Sequence, residues 1–275
     1  MTAIALFGAG GKMGYRLAKN LKGSRFDVRH VEVSDVGKAR LKDELGFDAV
    51  PADQALAGAE VVVLAVPDTV IGKVAASIVD RLVPGTMVVI LDAAAPFAGH
   101  LPDRPDLTYF VTHPCHPPIF NDETDPAAKR DFFGGVAAKQ HIVSALMQGP
   151  EEAYALGEEV AKVIWAPVMR SHRVTVEQMA LLEPGLSETV CASLLVVMRQ
   201  AMDECVARGV PKEAARDFLL GHMNVLGAVI FDETPGVFSD ACNKAIEFGV
   251  PVLMKDDWKR VFEPQEIADS IRRIT

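Results

Sequence analysis

The sequence predicts an α/β protein in two parts: an N-terminal doubly wound parallel sheet over residues 1–170 and an all-helical C-terminal domain over residues 171–275. Three observations carry this. Short β-branched runs alternate with helical spacings as far as about residue 170, a glycine-rich turn follows the first run directly, and no strand pattern recurs after Thr175.

In chain order, "AIALFG" reads as the first strand and "YRLAKNLKG" as its helix. "DVRHVEVS" and "VGKARLKDELG" repeat the unit, as do "AEVVVLAVP" and "TVIGKVAASIVDRL", and "TMVVILDAA" is a further strand. Such alternation requires crossover connections, which lay down a parallel sheet covered on both faces. "LTYFVTHP", "QHIVSALMQ" and "VIWAPVMR" extend the sheet, with "PEEAYALGEEVAKV" as the helix before the last of them. Beyond Thr175 come "VEQMALL", "GLSETVCASLLVVMRQAMDECVARG", "PKEAARDFLLGHMNVLGAVIFDE", "SDACNKAIEFG" and "PQEIADSIRRI", all helical. Glycines and prolines punctuate them at "RGVP", "ETPG" and "FGVP". The helix around "CASLLVVMRQAM" is apolar nearly all round, so burial on more than one side is expected. In a domain of ~100 residues that predicts a second subunit, a homodimer.

Composition narrows the partners. With 37 acidic against 28 basic residues the net charge is −9, which leaves no basic surface for a nucleic acid. The four cysteines, Cys115, Cys191, Cys205 and Cys242, form no CxxC pair, so reduced thiols in the cytoplasm are expected. The N-terminal apolar run is broken by glycines and reads as a strand instead of a signal peptide. "AEVVVLAVP" and "GTMVVILDAAAPFAG" fall short of the ~20 residues of a membrane helix, so no membrane partner is expected.

The turn itself is Gly8-Ala9-Gly10-Gly11-Lys12-Met13-Gly14, after a strand and before a helix, the context that separates a dinucleotide fingerprint from a chance glycine cluster. A diphosphate needs backbone N–H groups at a helix N-terminus with no side chain in the way, and glycines supply the sharp turn and the close approach. The spacing departs from G-x-G-x-x-G: Met13 takes the third glycine's place, and Gly8, Gly11 and Gly14 keep a three-residue period. Glu32, near the end of the second strand, is placed to accept ribose hydroxyls and repel a 2′-phosphate, which favours NAD. Arg29, Lys38 and Arg40 are close enough in sequence to keep NADP in view. Val66, Pro67 and Asp68 close another strand near the switch point, where a nicotinamide would lie, although Pro67 also serves as a strand terminator. The turn and these flanking positions define a Rossmann-type NAD-binding domain.

A second candidate site begins at "THPCHPPIFNDE". His113 and His116 lie in a loop whose prolines, Pro114, Pro117 and Pro118, hold the backbone extended. The pair suits either metal ligation through neutral imidazoles or acid/base work near neutral pH; stiffening of a domain crossing is the structural alternative. In the helical half, Glu183 precedes Pro184, a step expected to interrupt the helix and present the carboxylate at the break. Glu177 and Glu188 read as exposed helix charges, and His222, among Phe218, Leu219, Val225 and Leu226, as a satisfied core histidine. Lys244, beside Asn243, is either a contact for a substrate carboxylate or a surface lysine.

A nucleotide domain followed by a helical domain resembles the β-hydroxyacid dehydrogenase group, which includes the 6-phosphogluconate, prephenate, pyrroline-carboxylate and ketol-acid enzymes. Within it "GAGGKMG", "VEVSDVGKARL", "AVPD" and above all "THPCHPPIFNDE" look most like the D-apionate oxidoisomerases. That resemblance implies NAD-dependent oxidation of D-apionate, a branched sugar acid, to 3-oxo-isoapionate through hydride transfer and a 1,2-hydroxymethyl shift. A bridging divalent ion would serve such a shift. His113, with His116, and Glu183 are then either ligands, with zinc favoured over magnesium on the imidazole, or base and acid. A plain dehydrogenase of another small hydroxy acid, of the prephenate or 6-phosphogluconate type, and a non-catalytic NAD sensor are the alternatives.

Overall fold

The computed structural model describes residues 1–275, and the chain divides into two compact units: Met1–Leu182 with Ala268–Thr275, and Glu183–Ile267. The first unit is built on seven strands, β1 Ala3–Phe7, β2 Asp27–Val31, β3 Val61–Leu64, β4 Met87–Ile90, β5 Thr108–Pro114, β6 Gln140–Gln148 and β7 Val168–Arg173. Their order in the sheet is β2-β1-β3-β4-β5-β6-β7. Its helices are α1 Lys12–Leu21, α2 Asp35–Arg40, α3 Ala52–Leu56, α4 Asp68–Ile78, α5 Ala94–Phe97, α6 Ala153–Ile164 and α7 Val176–Ala180. The strand–helix alternation of the sequence is therefore present, and the sheet stays in this unit to Arg173.

The sheet is parallel except at one place: β5 and β6 run antiparallel. The reason lies in the connection. Residues 115–139 hold only a short 3-10 turn, Ala128–Arg130, and without a crossover helix the chain returns on itself beside β5. β1, β3 and β4 are buried at every residue, as strands covered on both faces must be. On one face Leu6, Leu17, Phe110, Ile142 and Ile164 pack together, and on the other Leu64, Ile71, Ile78 and Ile90. A smaller cluster of Ala93, Val111, Val143 and Met179 fixes α7 to the sheet.

The second unit is helical: α8 Ser193–Ala207, α9 Lys212–Ile230, α10 Asp240–Leu253 and the start of α11 Pro264–Ile274, whose end returns to the first unit. The expected helix break at Pro184 is absent. Residues Leu181–Ala192 continue as widened π-helical turns with Pro184 inside, a geometry that absorbs the missing N–H without ending the helix. The continuous run Val176–Ala207 has the length and composition to cross a membrane, contrary to the shorter runs picked out in the sequence. It carries Glu177, Glu183, Glu188, Arg199, Asp203 and Glu204, charges that a bilayer admits only at a cost.

Candidate active site

The glycine turn is shaped by close approach. Gly8 sits at φ +73°, and a Cβ there would meet the Ala65 carbonyl oxygen at 2.4 Å; a Cβ on Gly14 would lie 2.0 Å from the Gly8 oxygen. Gly10 would collide with Gly37, at 2.3 Å, whereas Gly11 meets only the Gly8 oxygen, at 3.2 Å. The structural demand thus falls on Gly8, Gly10 and Gly14, and not on the three-residue period. Gly11 serves instead as the N-cap of α1, with no side chain over the helix end, so the first-turn amides of Lys12, Met13 and Gly14 are presented to an anion.

Glu32 has a task the sequence did not disclose. Its carboxylate accepts the N–H groups of Gly10 at 2.8 Å, Val33 at 2.8 Å and Ser34 at 2.9 Å, and so ties the glycine turn to the end of β2. Of roughly four lone-pair sites, one remains for a ribose hydroxyl. The three nearby cations are engaged elsewhere: Arg29 on carbonyls at the end of α3 and on Asp27, Lys38 on Asp35, and Arg40 on Glu44 and the Tyr15 ring. This distribution suits a cofactor without a 2′-phosphate. Val66, Pro67 and Asp68 lie at the carboxyl end of β3 and the start of α4, at the same sheet edge as the turn.

His113 stands at the end of β5, half-buried, beside the end of β4. Its Nδ1 donates to the Pro114 carbonyl at 2.8 Å, which leaves the Nε2 lone pair as acceptor or ligand. On the opposite face of the strand, Thr112 donates to the Val143 carbonyl at 3.1 Å and accepts from Ser144 at 3.0 Å and the Trp165 indole at 3.3 Å. This buried network locks β5 against β6 and with it the pose of His113. Burial lowers the His113 pKa from its ordinary value, against the opposing pull of the Asp92 carboxylate. An oxygen of Asp92 lies within 4.8 Å of a His113 ring nitrogen. Asp92, whose Oδ1 also accepts from Ala94 N–H at 2.6 Å, escaped the sequence reading. The available signal was an acid directly after the apolar run "MVVIL", at the carboxyl end of a central strand.

His116 packs edge-on against His113, with ring centroids 5.9 Å apart. Cys115, between them, is a free thiol whose pKa burial raises. Glu183 opens the second unit on the π-helical turns and is half-buried, while Glu177 and Glu188 are exposed, as expected of them. His222 is not a core residue: it is exposed on α9, stacked on Phe218 at 4.0 Å with Nδ1 bonded to that residue's carbonyl. Lys244 is exposed on α10.

A parallel sheet with an open helix N-terminus at the glycine turn and a histidine–carboxylate pair at neighbouring strand ends defines a two-domain dinucleotide-dependent dehydrogenase. The family models agree: phosphogluconate dehydrogenase (decarboxylating) C-term matches residues 121–275, and NADP oxidoreductase, coenzyme F420-dependent, matches residues 3–96. D-apionate oxidoisomerase of Rhizobium rhizogenes is 85% identical over 100% of both chains, and that of Cupriavidus necator 76% identical over 99% of both. The chain belongs to the D-apionate oxidoisomerase family. A solved structure from Cupriavidus necator, a semialdehyde dehydrogenase NAD-binding protein in complex with calcium and NAD, is 75% identical with a TM-score of 0.99 over 100% of both chains. An NADH-preferring ketol-acid reductoisomerase from an uncultured archaeal source shares the fold, with a TM-score of 0.67 at 20% identity over 99% of this chain and 86% of that one.

Proposed function

We propose that this chain oxidises D-apionate with NAD and rearranges the product to 3-oxo-isoapionate. The observation that carries this reading is similarity along the whole chain, at 85% and 76% identity, to D-apionate oxidoisomerases, and the site chemistry suits it. Bound at the glycine turn, NAD supplies the hydride acceptor. His113 Nε2 takes the proton of the 2-hydroxyl as the hydride leaves the same carbon, work for which a neutral imidazole is suited. The 2-oxo acid then stands beside a tertiary alcohol. Loss of that alcohol's proton to Glu183 allows the hydroxymethyl group to break its bond to C3 and form one to C2. The C3 oxygen becomes a carbonyl, and the C2 oxygen recovers a proton from His113. This second half is redox-neutral.

Asp92 and His113 offer a carboxylate and an imidazole, donors that fit a divalent cation, but a cation on His113 Nε2 would replace that atom's work as base and not accompany it. The carboxylate beside the imidazole moves the preference from zinc towards an oxygen-seeking ion such as magnesium. Such a cation would polarise the two adjacent substrate oxygens. His116 supports His113, and Lys244, with no ion pair of its own, serves the substrate carboxylate. The working form is a homodimer in the cytoplasm: α8, α9 and α10 bury none of their residues, which suits cover by a second copy, and the free cysteines suit a reducing compartment.

The test is NADH formation from NAD and D-apionate, with and without a chelator, and identification of the product by NMR. A rearranged 3-oxo acid is expected; loss of turnover on chelation would assign His113 to a cation instead of to the proton. An unrearranged 2-oxo acid would reduce the reading to a plain hydroxy-acid dehydrogenase.

A further inference from the structure

The loop between β5 and β6 joins the two halves of the candidate site through one aromatic ring. His116 has φ +62°, the left-handed region that a non-glycine residue occupies only when its surroundings hold it there. What holds it is Phe133: the His116 Nδ1 donates to the Phe133 carbonyl at 2.9 Å, and the two rings meet edge to face at 6.2 Å. Phe133 is fixed in turn. Asp131 Oδ2 accepts the N–H groups of Val136, Ala137 and Ala138 at 3.1, 2.8 and 3.1 Å. Gly134, at φ +73°, passes so close to Gln140 that a Cβ would lie 2.5 Å from its side-chain oxygen.

The other side of the Phe133 ring faces the cofactor helix. Lys12 Nζ and the Arg16 guanidinium each lie 4.9 Å from its centroid. Both are cation–π contacts, from the first two turns of α1, directly after the glycine turn. Phe132 and Phe133 are both more than half exposed, so no packed core accounts for the ring's position. The path from the dinucleotide loop runs through Lys12 and Arg16 to Phe133, on to His116 and then to His113, all within one unit.

We propose that Phe133 is a positioning residue that couples occupancy of the glycine turn to the pose of His116, so that the dinucleotide prepares the site for the sugar acid. A diphosphate at the α1 N-terminus draws on the Lys12 ammonium, the cation that also holds the Phe133 ring, and the ring carries that change to the His116 imidazole it meets edge-on. Coupling of this kind is reciprocal: dinucleotide tightens sugar acid by the factor by which sugar acid tightens dinucleotide. The proposal rests on the function given above for its choice of ligand.

The experiment uses the full-length protein and the unreactive pair NADH and D-apionate. Titration calorimetry should show D-apionate binding at least about fivefold more tightly to NADH-loaded protein than to free protein. Phe133→Leu should abolish that factor while the NADH affinity stays at the wild-type value, and Phe133→Tyr, which keeps the ring, should restore it. In parallel, the His116 imidazole resonance, assigned with His116→Gln, should move when NADH is added to wild type and Phe133→Tyr but not to Phe133→Leu. Retention of the factor in Phe133→Leu, its absence in wild type, or a matching loss of NADH affinity would each overturn the coupling. If wild type binds no D-apionate, the substrate reading falls, and the NADH-dependent shift of His116 still decides whether Phe133 transmits occupancy.

Discussion

The central strands of the first unit and the long helices of the second are both strongly apolar, yet their fates differ. Every residue of β1, β3 and β4 is buried, and no residue of α8, α9 or α10 is. A strand leaves its backbone groups to be satisfied by neighbours, so an apolar strand survives only inside a completed sheet. A helix closes its hydrogen bonds within itself and tolerates an apolar face until something covers it. Val63, with no exposure, and Val196, with 57%, are the same residue type under these two regimes.

The largest effect should therefore come from a charge at each. Val63→Asp buries a carboxylate in the middle of β3 at a cost of several kcal/mol, comparable to the stability of a whole domain, and the expected outcome is loss of cooperative unfolding and of soluble protein. Val196→Asp should leave thermal unfolding of the sheet unit intact and, on the proposed homodimer, convert dimer to monomer in sedimentation. If both substitutions unfold the chain alike, the contrast between the regions is wrong.

A chemical substitution on the sheet separates rate from fold. His113→Gln preserves the β5–β6 pairing and the Thr112 network beneath it, so the melting temperature and oligomer should match wild type. Turnover of D-apionate should fall by about 10²–10⁴-fold. A comparable fall in NAD affinity would show that His113 shapes the cofactor site instead of the substrate's.

Gly14→Val comes next. Its Cβ would stand 2.0 Å from the Gly8 oxygen, which forces the turn open and withdraws the first-turn amides of α1. Dinucleotide affinity should drop by roughly two orders of magnitude, about 2.7 kcal/mol, with the helical unit undisturbed in its amide exchange.

These residues also mark what the sequence could and could not disclose. Strands covered on both faces read as continuous apolar runs, and the strand–turn–helix of the cofactor site is local, so both were legible. Strand direction is not local: nothing in "QHIVSALMQ" says that it runs against β5, and only the helix-free connection before it carries that information. Asp92 was missed because its partner His113 lies on the neighbouring strand, a proximity that exists only once β4 and β5 pair. The expected break at Pro184 failed because a π-helical turn tolerates a missing N–H that a regular α-turn does not. His222 was assigned to a core that its own unit does not build, the same misreading of helical apolarity that separates the two regions.

The smallest predicted effect concerns the sheet unit alone. His30, on β2, is 5% exposed, stacked on Phe47 at 4.3 Å, and its Nε2 has no hydrogen-bond partner. Burial lowers its pKa to about 4. The unfolded chain takes up this proton near the ordinary value of ~6.5, so between that pH and about 4 it binds a proton the folded state refuses. The neutral, packed imidazole is thus fully compatible with folding above ~6.5, and stability drains away as pH falls through this window. For a shift of this size the contribution lost between pH 7 and pH 5 is about 2 kcal/mol. His30→Gln removes the titrating group, so its denaturation free energy should change by about that much less over the same interval. Near-UV signals and amide exchange from β2 should report the difference, whereas amides of α9 should not. An identical pH dependence in wild type and variant would mean that the acid sensitivity of the sheet lies elsewhere.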